Sequence, residues 1–588
     1  MLRRIPAVCL VVGTVVLSGG TIASQSSYRT LDDRVPPPRY SSREEWTRRA
    51  QELRTRVLAS AGLVPLPERT PLNAEIFGDI TRADYIVSKV YFESLPGFFV
   101  TGNLYRPAGQ GAFPAILSPH GHWTYGRLEN GATTSGPGRA IGLARMGFVV
   151  FTYDMVGYVD SQQLPHTFGG QREQLWGLSL AGLQLWNSIR ALDFLESLPY
   201  VRRDAIGATG ESGGGTQTFL LAAVDDRVRV AAPVNMISLL MQGGCLCENP
   251  PGLRLGTNNV EIAATIAPRP LLMISATGDW TKETMEVEYP AMRSIYELVG
   301  AGDRVHAVRI DAEHNYNKAS REAMYAWMAR WLQNAPASER IAERGFTVEP
   351  LQDLLVFYQR PRPHTAVAPP QLTEQWIASA ARQLTSSDLR DRMRALLSVL
   401  GYPTIVPARV DPPPRAKRPL PALIDAPDPV LERELSRRGF RPVHIRFAPF
   451  DDAAAAKIRH FETYNRTAAS QRVADIVSAL EANPGAAIVA RGDNALAAVF
   501  ARTVARASAA VLDVDGYDPV SDDEYVKRLF IPGLRRAGAF ATAGTVQPAS
   551  LLHNTGGRFD VKGFDTESRQ LTAREIADAL AARSRAAR

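Results

Sequence analysis

The chain is poor in cysteine: three in 588 residues. Cys9 lies in an apolar N-terminal stretch, which leaves Cys245 and Cys247 in Gly243-Gly244-Cys245-Leu246-Cys247-Glu248-Asn249. A disulfide across one residue is strained and two thiols make half a metal site at best, so loop packing is the expected role of this pair. Membrane-length apolar runs are lacking too. Ile5 to Leu17 is too short to span a bilayer comfortably, and no cysteine follows it to carry a lipid, so no membrane anchor is expected. With Arg3 and Arg4 before it and Ser18-Gly19-Gly20-Thr21-Ile22-Ala23-Ser24 after it, residues 1–24 read as a signal peptide, which implies a secreted or periplasmic protein. Concentrated charge is missing as well. The 67 Lys and Arg exceed the 60 Asp and Glu by a spread-out +7. The one basic cluster, Arg583-Ser584-Arg585-Ala586-Ala587-Arg588, reads as a solvated tail, and no nucleic-acid partner is expected. A hydrophobic fraction of 45% and a charged fraction of 22% are those of a globular protein, and the length calls for two domains.

The first strong signal is Ala205-Ile206-Gly207-Ala208-Thr209 running into Gly210-Glu211-Ser212-Gly213-Gly214 and then into a helical stretch, Thr216 to Val224. A strand, a sharp turn and a helix with serine at the apex form the nucleophile-elbow pattern of α/β-hydrolases. Glycine at 210 and 214 suits a turn that leaves no room for a Cβ.

Serine needs a base to take its proton and an acid to orient that base. Pro270 to Thr277 reads as a buried strand and ends in Gly278-Asp279, placing Asp279 at the carboxyl end of a parallel strand. The run Val305 to Ile310 is followed by Asp311-Ala312-Glu313-His314 and then by a helix from Lys318 to Leu332. Ser212, Asp279 and His314 therefore stand in the order nucleophile, acid, base. Asp311 and Glu313 are the rival acids, on the histidine's own loop, from which the far side of the imidazole is awkward to reach.

Acyl transfer also needs donors for the oxyanion. The strand Ala115-Ile116-Leu117-Ser118-Pro119 opens into His120-Gly121-His122-Trp123, where hydrolases carry a His-Gly loop. The expected donors are the backbone amides of Gly213 and His122, and His120 is expected to be structural. A helix over Ser42 to Ala61, strands from Ala83 to Tyr105 with a turn at Pro96-Gly97, a strand at Gly147 to Asp154 and a helix from Leu175 to Leu198 complete an alternation typical of a mainly parallel sheet covered on both faces.

After a connector at 336–371 the organisation starts again. A helix at Asp388 to Gly401, a strand at Val443 to Phe447, Thr463-Tyr464-Asn465 answering Thr152-Tyr153-Asp154, a helix at Ser470 to Ala482 and a strand at Ala486 to Ala490 repeat the first half in outline. In this alignment Asn494 stands at the nucleophile position and Gly557 at the acid position. Residues 372–588 then form a degenerate α/β-hydrolase-like domain without catalysis of its own, unless they are an unrelated α/β domain with chance matches.

His120-Gly121-His122-Trp123, Gly210-Glu211-Ser212-Gly213-Gly214, Ala276-Thr277-Gly278-Asp279-Trp280 and Glu313-His314-Asn315 together resemble secreted bacterial α/β-hydrolases of the acetylxylan esterase and dienelactone-hydrolase-like kind. The resemblance covers roughly residues 40 to 335, within a catalytic domain set at 25–335. It implies a serine esterase with Ser212 as nucleophile, His314 as base and Asp279 as its orienting acid. It also implies ester substrates on plant polysaccharides or their fragments, and neither a metal nor an organic cofactor. A prolyl-oligopeptidase-type serine peptidase shares this catalytic fold, but the chain before residue 110 is too short for a propeller. A non-enzymatic binding protein would suit the second half better than the first.

Overall fold

The computed structural model describes residues 28–402, 419–546 and 550–586; the expected signal peptide at 1–24, with Cys9, lies outside the described residues. Nine strands form the first sheet: β1 (Glu75–Thr81), β2 (Tyr85–Leu95), β3 (Phe98–Pro107), β4 (Phe113–Pro119), β5 (Val149–Tyr153), β6 (Val201–Glu211), β7 (Val228–Val234), β8 (Leu271–Ala276) and β9 (Val305–Ile310). Their order is β1-β2-β3-β5-β4-β6-β7-β8-β9. The first three strands and the β3–β5 pairing are antiparallel, the rest parallel. Strands β4, β5 and β8 are mostly apolar and buried almost throughout, as parallel strands covered by helices must be. One face packs on helices Arg43–Ser60, Leu180–Ser197 and Gly213–Val224 through Leu53, Trp186 and Phe219. The other face packs on helices Gly136–Arg145 and Lys318–Leu332 through Ile141, Met324 and Met328.

A second, wholly parallel sheet follows: β10 (Leu420–Ile424), β11 (Phe440–His444), β12 (Ala487–Arg491), β13 (Ala510–Asp513), β14 (Ser550–His553) and β15 (Asp565–Thr566), in the order β11-β10-β12-β13-β14-β15. This repeats the order β5-β4-β6-β7-β8-β9 of the first sheet. The chain is thus an α/β-hydrolase fold followed by a second α/β domain with the same strand crossing.

Several local expectations shift. The strand expected at 443–447 starts earlier, at Phe440, and Thr463-Tyr464 lies in a helical turn, Phe461–Tyr464, rather than at a strand end. The described part of the basic C-terminal cluster, Arg583 to Ala586, is not a free tail: Ala573–Ala586 is an amphipathic helix that buries Ile576, Leu580 and Ser584. The elbow of the second half is also displaced. Helix Gly492–Val504 starts directly after β12, and Gly492 has φ +56°, next to +55° for Ser212 after β6. Gly492, not Asn494, therefore occupies the nucleophile position, and Asn494 sits in the first helical turn, donating through Nδ2 to Asp425 at 3.3 Å. Three residues past β14, the offset of Asp279 from β8, stands Gly556, one before the Gly557 expected at the acid position, so no carboxylate is found there, and no histidine follows His553 in the sequence.

The two halves interlock. Helix Pro369–Ser386, which straddles the expected boundary at 371/372, buries Leu372, Trp376 and Ala380 in the first core. Leu175 from the first half is buried in the second core. Trp376 donates to Trp176 O at 2.9 Å, Trp176 donates to Asp522 at 3.0 Å, and Arg536, 4% exposed, donates to Gly62 O at 3.1 Å and Pro65 O at 2.7 Å.

Candidate active site

Strands β4, β6, β8 and β9 run parallel, so the loops at their carboxyl ends meet on one edge of the sheet, where open α/β sheets bind ligands. Ser212 stands at the apex of the turn after β6, with φ 55° and ψ −121°, a conformation that non-glycine residues hold only when the surroundings impose it. The surroundings here are close-packed: a Cβ on Gly214 would lie 2.5 Å from Pro119 O and 2.8 Å from the His120 carbonyl carbon. The loop after β4 is therefore pressed onto the start of the helix after Ser212. A Cβ on Gly213 would lie 2.6 Å from His122 Cε1, so the His122 ring covers that residue. As the first helical residue, Gly213 has no partner for its N–H within its own helix.

Asp279 and His314 meet. His314 Nδ1 lies 2.8 Å from Asp279 Oδ2, and the carboxylate is 2% exposed while the imidazole is 25% exposed. The other carboxylate oxygen accepts from Thr281 N at 2.7 Å and Thr281 Oγ1 at 2.5 Å, which holds the acid in one orientation. The rival acids point elsewhere. Asp311 accepts from Thr277 Oγ1 at 2.8 Å, and Glu313 lies over Gly278, whose Cβ would come within 2.6 Å of its carboxylate. The histidine loop is held by Asn235, which donates through Nδ2 to Asn315 O at 2.9 Å.

One part of the site carries no sequence signature. Glu211, immediately before Ser212, is buried and accepts from Arg139 Nη1 at 2.9 Å, from Trp123 Nε1 at 2.8 Å and from Thr134 Oγ1 at 3.2 Å. Arg139 also donates to Ser118 at 2.9 Å and lies 4.4 Å over the Tyr316 ring. The Trp123 ring stacks 6.2 Å from the His314 ring, and Trp280 lies 4.6 Å from it on centroids, so two half-buried indoles flank the imidazole. Tyr125, two residues beyond Trp123, is 55% exposed. His120 is buried, with Nδ1 donating to Gly121 O at 2.6 Å and Nε2 accepting from Met155 N at 3.0 Å; burial pushes its pKa down to about 3, so it is a neutral structural ring.

Cys245 and Cys247 do more than pack a loop. Their sulfurs come together with His122 and His166, and the four ligand atoms lie within 4.8 Å of one another. His122 Nε2 is 3.1 Å from Cys247 Sγ, and His166 Nε2 is 3.3 Å from Cys245 Sγ. The hydrogen bond with Cys247 and the neighbouring imidazoles hold Cys245 far below the usual thiol range, whereas burial pushes Cys247 up. Nothing in the sequence around His166 marks it as a partner of residues so far along the chain. The Cys loop is braced from the second half: Thr463 Oγ1 donates to Asn249 O at 2.8 Å, Tyr464 OH to Asn249 Oδ1 at 3.1 Å, and Arg459 to Gly244 O.

No protein-family profile matches the chain. It is similar to a Bacillus subtilis (strain 168) protein named "Putative hydrolase YtaP", 26% identical over 291 residues that cover 45% of this chain and 95% of that one. Among solved structures it is similar to Methylesterase BT1017, at 30% identity over 59% of this chain and 78% of that chain with a TM-score of 0.49. It is also similar to a glucuronoyl esterase from Solibacter usitatus, at 16% identity over 50% and 94% with a TM-score of 0.38.

Proposed function

We propose that the protein is a serine carboxylic ester hydrolase in which Ser212 is the nucleophile, His314 the base and Asp279 the residue that orients it. One observation carries the reading: the buried Asp279 carboxylate fixes His314 Nδ1 at 2.8 Å on the sheet edge where Ser212 caps a strained turn. Asp279 holds the proton on Nδ1 and leaves Nε2 free to take the Ser212 hydroxyl proton as Oγ attacks the ester carbonyl. The amides of Gly213 and His122 are the donors for the resulting oxyanion. The proton on Nε2 then goes to the departing alkoxide, and the C–O bond breaks to leave an acyl-serine. Water, deprotonated by His314, releases the acid and restores the hydroxyl.

Carbohydrate esters are the substrates this reading favours. Trp123, Trp280 and exposed Tyr125 offer aromatic faces around a histidine that is open to solvent, a setting that suits an extended, polar chain better than a small ligand needing enclosure. The signal-peptide-like start of the sequence supports action outside the cytoplasm, where such polymers are met. The test is hydrolysis of a small aryl acetate, of acetylated and methyl-esterified polysaccharides and of a peptide amide by the full chain and by Ser212→Ala. Ester cleavage without amide cleavage, reduced by several orders of magnitude in the variant, is the expected result. Unchanged turnover in Ser212→Ala would remove the assignment.

A further inference from the structure

We propose that His122, His166, Cys245 and Cys247 bind one zinc ion, a structural site that locks the His-Gly-His-Trp loop to the loop Gly243–Asn249 beside the nucleophile. The ligands come from three loops: after β4, between β5 and β6, and after β7. Two thiolates and two neutral imidazoles are a ligand set that suits zinc, and the thiolates balance its charge. The edges of a tetrahedron with Zn–S of about 2.3 Å and Zn–N of about 2.0 Å are roughly 3.3 to 3.8 Å long. The four donor atoms are gathered within 4.8 Å, with the two nitrogen–sulfur contacts at 3.1 and 3.3 Å, so small side-chain shifts suffice.

The surroundings also fit a metal. His166 Nδ1 donates to Val156 O at 2.6 Å, which fixes the tautomer and turns the Nε2 lone pair to the cluster, the arrangement that metal-bound histidines use. The Cys loop is shaped by Glu248, whose carboxylate accepts from Gly244 N at 2.8 Å and Cys245 N at 2.9 Å. With four protein ligands the site is closed and has no open position for water, so it would not activate a nucleophile itself. Its effect would be mechanical. The His122 ring lies against Gly213, and holding its Nε2 would fix the backbone that carries the proposed oxyanion donor. A metal-free cluster of thiol–imidazole hydrogen bonds and a 245–247 disulfide are the competing states.

The experiment uses the full chain, purified under reducing conditions, and reads metal content and stability without any ester substrate, so its outcome is independent of the esterase assignment. About one zinc per chain is expected by elemental analysis, with X-ray absorption giving two sulfurs at about 2.3 Å and two nitrogens at about 2.0 Å. Removal by a chelator should lower the melting temperature and added zinc should restore it. Cys247→Ser and His166→Ala should lose most of the metal, while His166→Cys, which keeps four ligands, should retain it. The wild-type measurement decides even if a variant fails to fold. Zinc below about a tenth of an equivalent after incubation with zinc and gel filtration would overturn the site, because a closed structural site binds far more tightly than that implies. A metal-free chain carrying a 245–247 disulfide, or another metal in stoichiometric amount, would overturn it equally.

Discussion

Trp123 donates its indole N–H to Glu211 at 2.8 Å and so ties the loop after β4 to the residue next to Ser212, the proposed nucleophile. Glu211 is in turn paired with Arg139 where both side chains are only 1% exposed. Breaking a buried pair by removing one charge leaves the other desolvated and unmatched. Glu211→Gln should therefore destabilise the protein by about 3–5 kcal/mol in urea unfolding. The double variant Glu211→Gln/Arg139→Met should recover part of that loss. A Glu211→Gln chain as stable as wild type would mean that the pair contributes nothing.

Asp279→Asn should lower kcat by about 10⁴ with a small effect on KM, since an amide favours the wrong histidine tautomer. Asp311→Asn and Glu313→Gln should stay near wild-type rates, because both carboxylates are engaged or placed away from Nδ1. A severe Glu313→Gln with a mild Asp279→Asn would reverse the assignment of the acid.

Ser212 at φ 55° suggests a comparison of two inactive variants. Ser212→Gly and Ser212→Ala both remove the hydroxyl, but glycine relaxes the backbone where alanine does not. The glycine variant should be the more stable by about 1 kcal/mol in denaturant unfolding. Equal stabilities would show that the turn is not strained.

His120 gives a pH effect of definite sign. Burial lowers its pKa from 6.5 to about 3, so the folded state prefers the neutral ring while the unfolded state protonates first. The stabilisation is complete above pH 6.5 and is lost as pH falls from there towards 3. In His120→Gln, whose amide oxygen can still accept from Met155 N, the fall in melting temperature over that range should be shallower. The missing slope corresponds to a few kcal/mol, roughly. Parallel curves for the two proteins would place the acid sensitivity in other groups.

Asn494→Ala should leave turnover on an aryl acetate unchanged, since Asn494 lies in a helical turn of the second half and bonds Asp425. A large loss measured in that assay would mean that Asn494 contributes to turnover.

Much of the fold was legible because buried parallel strands are written as apolar runs: Val305 to Ile310 and the helix Lys318 to Leu332 fall where the sequence puts them. Ser212, Asp279 and His314, the residues proposed for catalysis, stand out in the sequence for a related reason, each following such a run by one to four residues. The Arg139–Glu211 pair and the approach of His166 to Cys245 were not, because they join residues 72 and 79 positions apart with no periodicity between them. The elbow of the second half was misread by two residues because Gly492-Asp493-Asn494 offers three turn-forming types in a row. Only the backbone angle of Gly492 separates them.

The interlocking of the two cores has a consequence for biosynthesis. The indole of Trp376 reaches Trp176 O from 200 positions along the chain, and Arg536 reaches Gly62 O from 474. At a translation rate of about 5–20 residues per second, the face around Trp176 stays uncovered for roughly 10–40 s after its own synthesis, and the Gly62 carbonyl waits more than twice as long. During that interval the emerging first half presents an apolar surface that later residues of the chain will close. The yield of active protein should therefore depend on how fast the ribosome delivers the second half, even though the proposed triad lies entirely in the first.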